Sequence, residues 1–186
     1  MKKVLIRYGL SSAVFIVLFF LVNWLVFGSE ANDYEGQEVI GYSGIILSML
    51  FVFAGIRYYR DKVNHGRLNF VKALKVGALI ALFPSIGFAL VDLLYILFIN
   101  PDFLDQYYLA ELEKMQKTLS ASEFQVKAKA IEAEKNMFAN PVISALVMFL
   151  TAFMVGIIVT VISGLILKRN RNNIHEVQPA GRAAGI

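Results

Sequence analysis

The sequence predicts an all-α polytopic membrane protein: four transmembrane helices, with a helical hairpin outside the membrane between the third and fourth. Three observations predict it. Apolar residues make up 58% of the 186 residues, well above the share in a soluble domain, and they are gathered into four blocks. The blocks, Tyr8–Phe27, Val39–Ile56, Val76–Ile99 and Val142–Leu167, are each close to the roughly 20 residues that cross a bilayer as helix. The charges that flank them alternate in sign bias from one junction to the next, as membrane topology requires.

The first span follows Lys2, Lys3 and Arg7 and holds no charge from Tyr8 to Phe27, a helix about 30 Å long. A cleavable secretory signal competes with it, because Val26-Phe27-Gly28 is a passable cleavage pattern. A signal core is shorter, about 7 to 15 residues, so a retained helix is the better reading. Asn23 and Trp24 sit near its far end, where tryptophan serves as an interfacial anchor.

The stretch Ser29–Glu38 carries four acids and no lysine or arginine. The second span, 39–56, opens Gly41-Tyr42-Ser43-Gly44, small residues that permit close backbone approach. A basic hairpin follows. Arg57, Arg60, Lys62, Arg67, Lys72 and Lys75 stand against Asp61 alone, with a turn at Asn64-His65-Gly66. This concentration places the face, and both termini, in the cytoplasm. Membrane lipids are the expected partners of these six residues, through headgroup contacts, although topology alone accounts for the cluster. The same topology explains the isoelectric point near 9.3, so nucleic acid is not an expected partner.

The blocks IGYSGIILSM, FAGIRYYRDK, LNFVKALKVG and NPDF resemble the uncharacterised four-pass membrane family catalogued as domain of unknown function 4199, of Bacteroidota-type bacteria. The resemblance runs from about Lys3 to Arg169. It implies a location in a bacterial membrane, the inner membrane being the one expected, and carries no activity, substrate or catalytic residue.

The third span, 76–99, contains Pro84, which should kink it, and Asp92, an isolated acid within the apolar blocks. Ala73, Gly77, Ala81, Ser85 and Ala89 recur every four residues. Asp92 lies seven residues beyond Ser85, hence on the same helix face, and small-residue faces meet other helices. Asp92 therefore points into the bundle, about 10 Å below the outer end. It can be held protonated, or hydrogen-bonded by Asn23, Tyr42, Ser43 or Tyr95, all in the outer thirds of their helices. A structural fastener, a proton- or ligand-handling site and a residue in a shallow wet cavity all fit.

Between the last two spans, Asn100-Pro101 and Asn140-Pro141 each read as a helix start. Leu104, Tyr108, Leu112, Met115 and Leu119 form one apolar stripe, and Phe124, Ile131 and Phe138 with Ala128 form another. Ser120 to Glu123 is a capping box. The result is an antiparallel helical hairpin over 101–139, with seven acids and five lysines, placed outside by its low basic content. Glu111/Glu113 and Glu132/Glu134 do not share helix faces, so they are solvated surface.

The fourth span, 142–167, carries a second small stripe, Ala152, Gly156, Thr160 and Gly164, a mate for the one on the third. Lys168, Arg169 and Arg171 stop it, which closes a transmembrane domain at about residue 170 and leaves 171–186 as a flexible cytoplasmic tail.

The absence of cysteine excludes disulfides and thiolate chemistry. No metal-ligand spacing and no Ser/His/Asp set is present, so neither a cofactor nor enzyme activity is expected. The expectation is an accessory or scaffold protein of the cell envelope, with a protein partner on the outer hairpin or self-association. A small oligomeric proton- or solute-handling transporter using Asp92 is the alternative. Single cysteines placed at 65 and 115 should label from opposite sides of the membrane, 65 from the cytoplasm. Labelling of both from one side would overturn this topology.

Overall fold

Apolar runs of this length can satisfy their backbone in lipid only as helices, and helices are what the chain forms. The computed structural model describes residues 1–27 and 34–168. Its helices are α1 (residues 2–27), α2 (residues 34–63), α3 (Phe70–Ile99), α4 (Phe103–Thr118), α5 (Ala121–Phe138) and α6 (Pro141–Leu167). π-helical turns lie within α1 at Leu5–Gly9 and end α2 and α3 at Tyr59–Val63 and Tyr95–Ile99. Among the described residues four helices, α1, α2, α3 and α6, are long and apolar enough to cross a membrane. The protein is a multi-pass membrane protein.

The helices outrun the apolar blocks. α2 starts at Tyr34, inside the acidic stretch, and α3 starts at Phe70, ahead of Lys72 and Lys75. Loss of hydrophobicity does not end a helix; a cap does. The acids Glu30 and Asp33, the Gly28 end of the cleavage pattern and the tail 171–186 lie outside the described residues.

The caps follow the sequence closely, with one exception. The Asn69 side chain accepts from Lys72 N at 2.8 Å, and that of Asn140 accepts from Val142 N at 2.9 Å with Pro141 opening α6. The turn into α3 has positive φ at His65 (52°) and Gly66 (78°), and the Asn64 amide donates to the Arg67 carbonyl. Glu123 accepts from the Ser120 amide at 3.2 Å and hydroxyl at 2.6 Å. The Ser120 hydroxyl holds the Glu123 carboxyl below its usual pKa.

The exception is Asn100-Pro101, which does not start a helix. The π-helical turn leaves the Tyr95 carbonyl to the Asn100 amide, at 2.9 Å. Asn100 thus closes α3, and α4 begins at Phe103 after an Asp102 cap.

α3 runs unbroken through Pro84, which is fully buried. It packs on α1, α2 and α6, and its seam with α6 is the most extensive among the described residues. The two small stripes meet there. A Cβ built on Gly156 would lie 2.7 Å from Ala81 Cβ, and one on Gly164 3.3 Å from Ala73 Cβ; one on Gly77 would collide with Thr160. Each four-residue step up α3 is matched by four down α6, so the helices are antiparallel with one contact per turn.

Other seams use the same device. A Cβ on Gly44 would meet Phe19 at 2.6 Å, and one on Gly55 would meet Ile80 at 2.5 Å. Gly41, grouped with Gly44 on sequence grounds, has nothing within 4 Å.

In the α4–α5 pair, both expected stripes turn away from solvent. Tyr108 and Ile131 are buried, and the remaining stripe residues are half-buried. Lys135 Nζ reaches Asp105 Oδ1 at 2.6 Å, joining the end of α5 to the start of α4. Both side chains are substantially exposed, so this pair adds little stability. Tyr107 lies within electrostatic reach of Glu38 on α2; burial first, then Glu111, Glu38 and Glu134, raise its phenol pKa.

Gly156→Ala should destabilise the protein by about 1–3 kcal/mol through overpacking. Gly41→Ala should be neutral or slightly stabilising through helix propensity. Unfolding of both variants in micelles checks this, and equal effects would refute the glycine-dependent seam.

Candidate functional site

The candidate site grows out of the register of that seam. Asp92 is eleven residues beyond Ala81, and Ser144 is twelve before Gly156, so the zipper brings them level. Ser144 Oγ donates to Asp92 Oδ2 at 3.1 Å. Ser144 is buried and Asp92 half-buried. The acid faces the bundle, on the small-residue side of α3.

Its partner is a residue the sequence reading did not name. Among the described residues none of the four expected residues hydrogen-bonds Asp92. Tyr42 is exposed, and exposed Ser43 donates back to the Val39 carbonyl at 2.7 Å. Tyr95 packs edge-on against Phe103, with centroids 5.4 Å apart. Asn23 is half-buried near the end of α1. The signal for Ser144 was present: it lies eight residues, about two turns, before Ala152, on the stripe of the last helix.

A second interhelical bond fastens α1 to α2. Buried Ser12 donates to the Ser48 carbonyl at 2.8 Å, while Ser48 donates to the Ile45 carbonyl at 2.7 Å. Four other intramembrane hydroxyls turn back on their own helix: Ser85 to Ala81, Thr151 to Val147, Thr160 to Gly156 and Ser163 to Val159. Among the described residues no buried side-chain nitrogen or oxygen lacks a partner.

Of the six basic residues expected at lipid headgroups, two are drawn to Asp61. Arg60 Nε is 2.6 Å from Asp61 Oδ1, and Arg57 lies 3.9 Å from the same carboxylate. Lys62, Arg67, Lys72 and Lys75 are exposed along the end of α2, the turn and the start of α3.

Chemically, a carboxylate with one hydroxyl donor can brace two helices or exchange a proton. Among the described residues, no group of three or more His, Asp or Glu residues is placed to hold a metal. A family model described as "Protein of unknown function (DUF4199)" matches residues 7–169. No curated protein and no solved structure matches the chain.

Asp92→Asn retains an acceptor for Ser144 and should preserve fold and expression. Ser144→Ala should cost about 0.5–2 kcal/mol, the range of intramembrane hydrogen bonds. Denaturant unfolding in micelles measures both; a larger loss from Asp92→Asn than from Ser144→Ala would refute a simple fastener.

Proposed function

The chain belongs to the DUF4199 family of proteins of unknown function, and from that premise we propose a non-enzymatic accessory or scaffold protein of the bacterial cell envelope. In this reading the protein sits in the inner membrane with both termini in the cytoplasm, and α4–α5 is an extracytoplasmic hairpin that engages a protein partner. The charge pattern supports the orientation: the end carrying residues 57–75 is strongly basic, whereas 100–141 is slightly acidic.

One observation carries the partner. The pair turns its own stripes inward yet leaves Leu109 60% and Val126 71% exposed. These residues stand on polar helices outside the four spans, where lipid does not account for them.

A second reading has its own observation. Asp92, half-buried in the α3–α6 seam with a single hydroxyl donor, supports a small oligomeric proton- or solute-handling transporter. Loss of a pH-dependent flux in Asp92→Asn liposomes would favour it over the scaffold.

Photocrosslinkers at positions 109 and 126 should yield a discrete adduct in cells, and one at lipid-facing Leu18 should not. An adduct with a second copy would identify the partner as the protein itself. No protein adduct from either hairpin position would remove the basis for a scaffold.

A further inference from the structure

At the boundary where the apolar runs of α1 and α2 meet their basic flanks, one arginine is held differently from the others. Arg7 lies in the π-helical turn Leu5–Gly9, a kind of irregularity that often marks functional positions. Its guanidinium carbon is 5.9 Å from the Tyr8 ring centroid and 5.8 Å from that of Tyr58. The rings are themselves 5.6 Å apart. Tyr8 packs closely on Gly55 of α2, so the two helices jointly fix the rings.

Arg57 and Arg60 are drawn to Asp61, but among the described residues no carboxylate pairs with Arg7. Aromatic faces attract the cation without using its N–H donors. The planar fork therefore stays exposed and oriented, with its charge uncompensated. That fork matches a phosphate bidentately, and its position directly before the first uncharged residue of the span puts it at headgroup level.

We propose that Arg7, braced by Tyr8 and Tyr58, binds the phosphate of an anionic phospholipid at the basic end of the α1–α2 seam. Its ligand is a lipid rather than a soluble phosphate, since acyl chains would lie along the adjoining exposed residues Leu10 and Val14 of α1. This inference is independent of the scaffold reading and of which leaflet the basic end occupies.

The test measures thermal stabilisation of the full chain in micelles by added phosphatidylglycerol, phosphatidylcholine or inorganic phosphate. Phosphatidylglycerol should stabilise the wild type in a saturable way, and the other two should not. Apparent affinity should fall about fivefold or more in Arg7→Ala, the factor expected of one basic residue at an anionic surface. Arg7→Lys, which keeps charge and loses the fork, should fall between, and Lys2→Ala, at an exposed basic residue of the same flank, should match wild type. Each variant is compared with itself without lipid, so lowered intrinsic stability does not enter. Unchanged affinity in Arg7→Ala would reduce the arginine to a structural brace. An equal loss in Lys2→Ala would mean diffuse charge attraction, and equal stabilisation by inorganic phosphate would mean a free-anion site; either result overturns the proposal.

Discussion

The fold depends on how closely α3 and α6 can approach. In water, two apolar helices associate because their surfaces leave solvent; in lipid that drive is absent, and dispersion between well-fitted surfaces must replace it. Glycine and alanine remove the side chains that would hold the axes apart. With a contact at every turn from Ala73–Gly164 to Ala81–Gly156, the seam fixes both the register and the antiparallel sense. α1 and α2 then pack onto the remaining faces of α3 through fewer close contacts of the same kind.

Polar groups within this bundle divide into two kinds. Hydroxyls bonded to the carbonyl one turn back, such as Thr160 to Gly156, satisfy themselves and specify nothing about neighbouring helices. Ser12–Ser48 and Ser144–Asp92 cross between helices and so distinguish one rotation of the seam from another. One such bond joins α1 to α2, the other joins α3 to α6. Each is weak in energy, but misrotation of either seam would leave a polar group facing hydrocarbon, which is expensive.

Much of this was legible in the sequence because it rests on local rules. Four-residue spacing of small residues identified both halves of the central seam, and Asn140-Pro141 and Ser120–Glu123 announced their helix starts correctly. What escaped depended on register between distant segments. Depth alone pointed Asp92 to several outer residues; only the alignment of the two stripes singles out Ser144. Asn100-Pro101 misled because the π-helical turn before it, which no residue pattern demands, takes Asn100 as its closing residue. Gly41 and Gly44 look equivalent on paper, and one is packed while the other is open.

The seam also imposes an order on biogenesis. α3 leaves the ribosome well before its principal mate: 68 residues separate Ile99 from Leu167, about 3 to 14 s of synthesis at bacterial to slower rates. During that interval α1 and α2 are available to cover part of α3, but its small-residue face and Asp92 have no α6 to meet. The nascent three-helix intermediate therefore carries an unpaired acid and a flat, adhesive helix face in the bilayer. Arrival of α6 closes both defects at once, so this seam is completed only when the fourth span has been made.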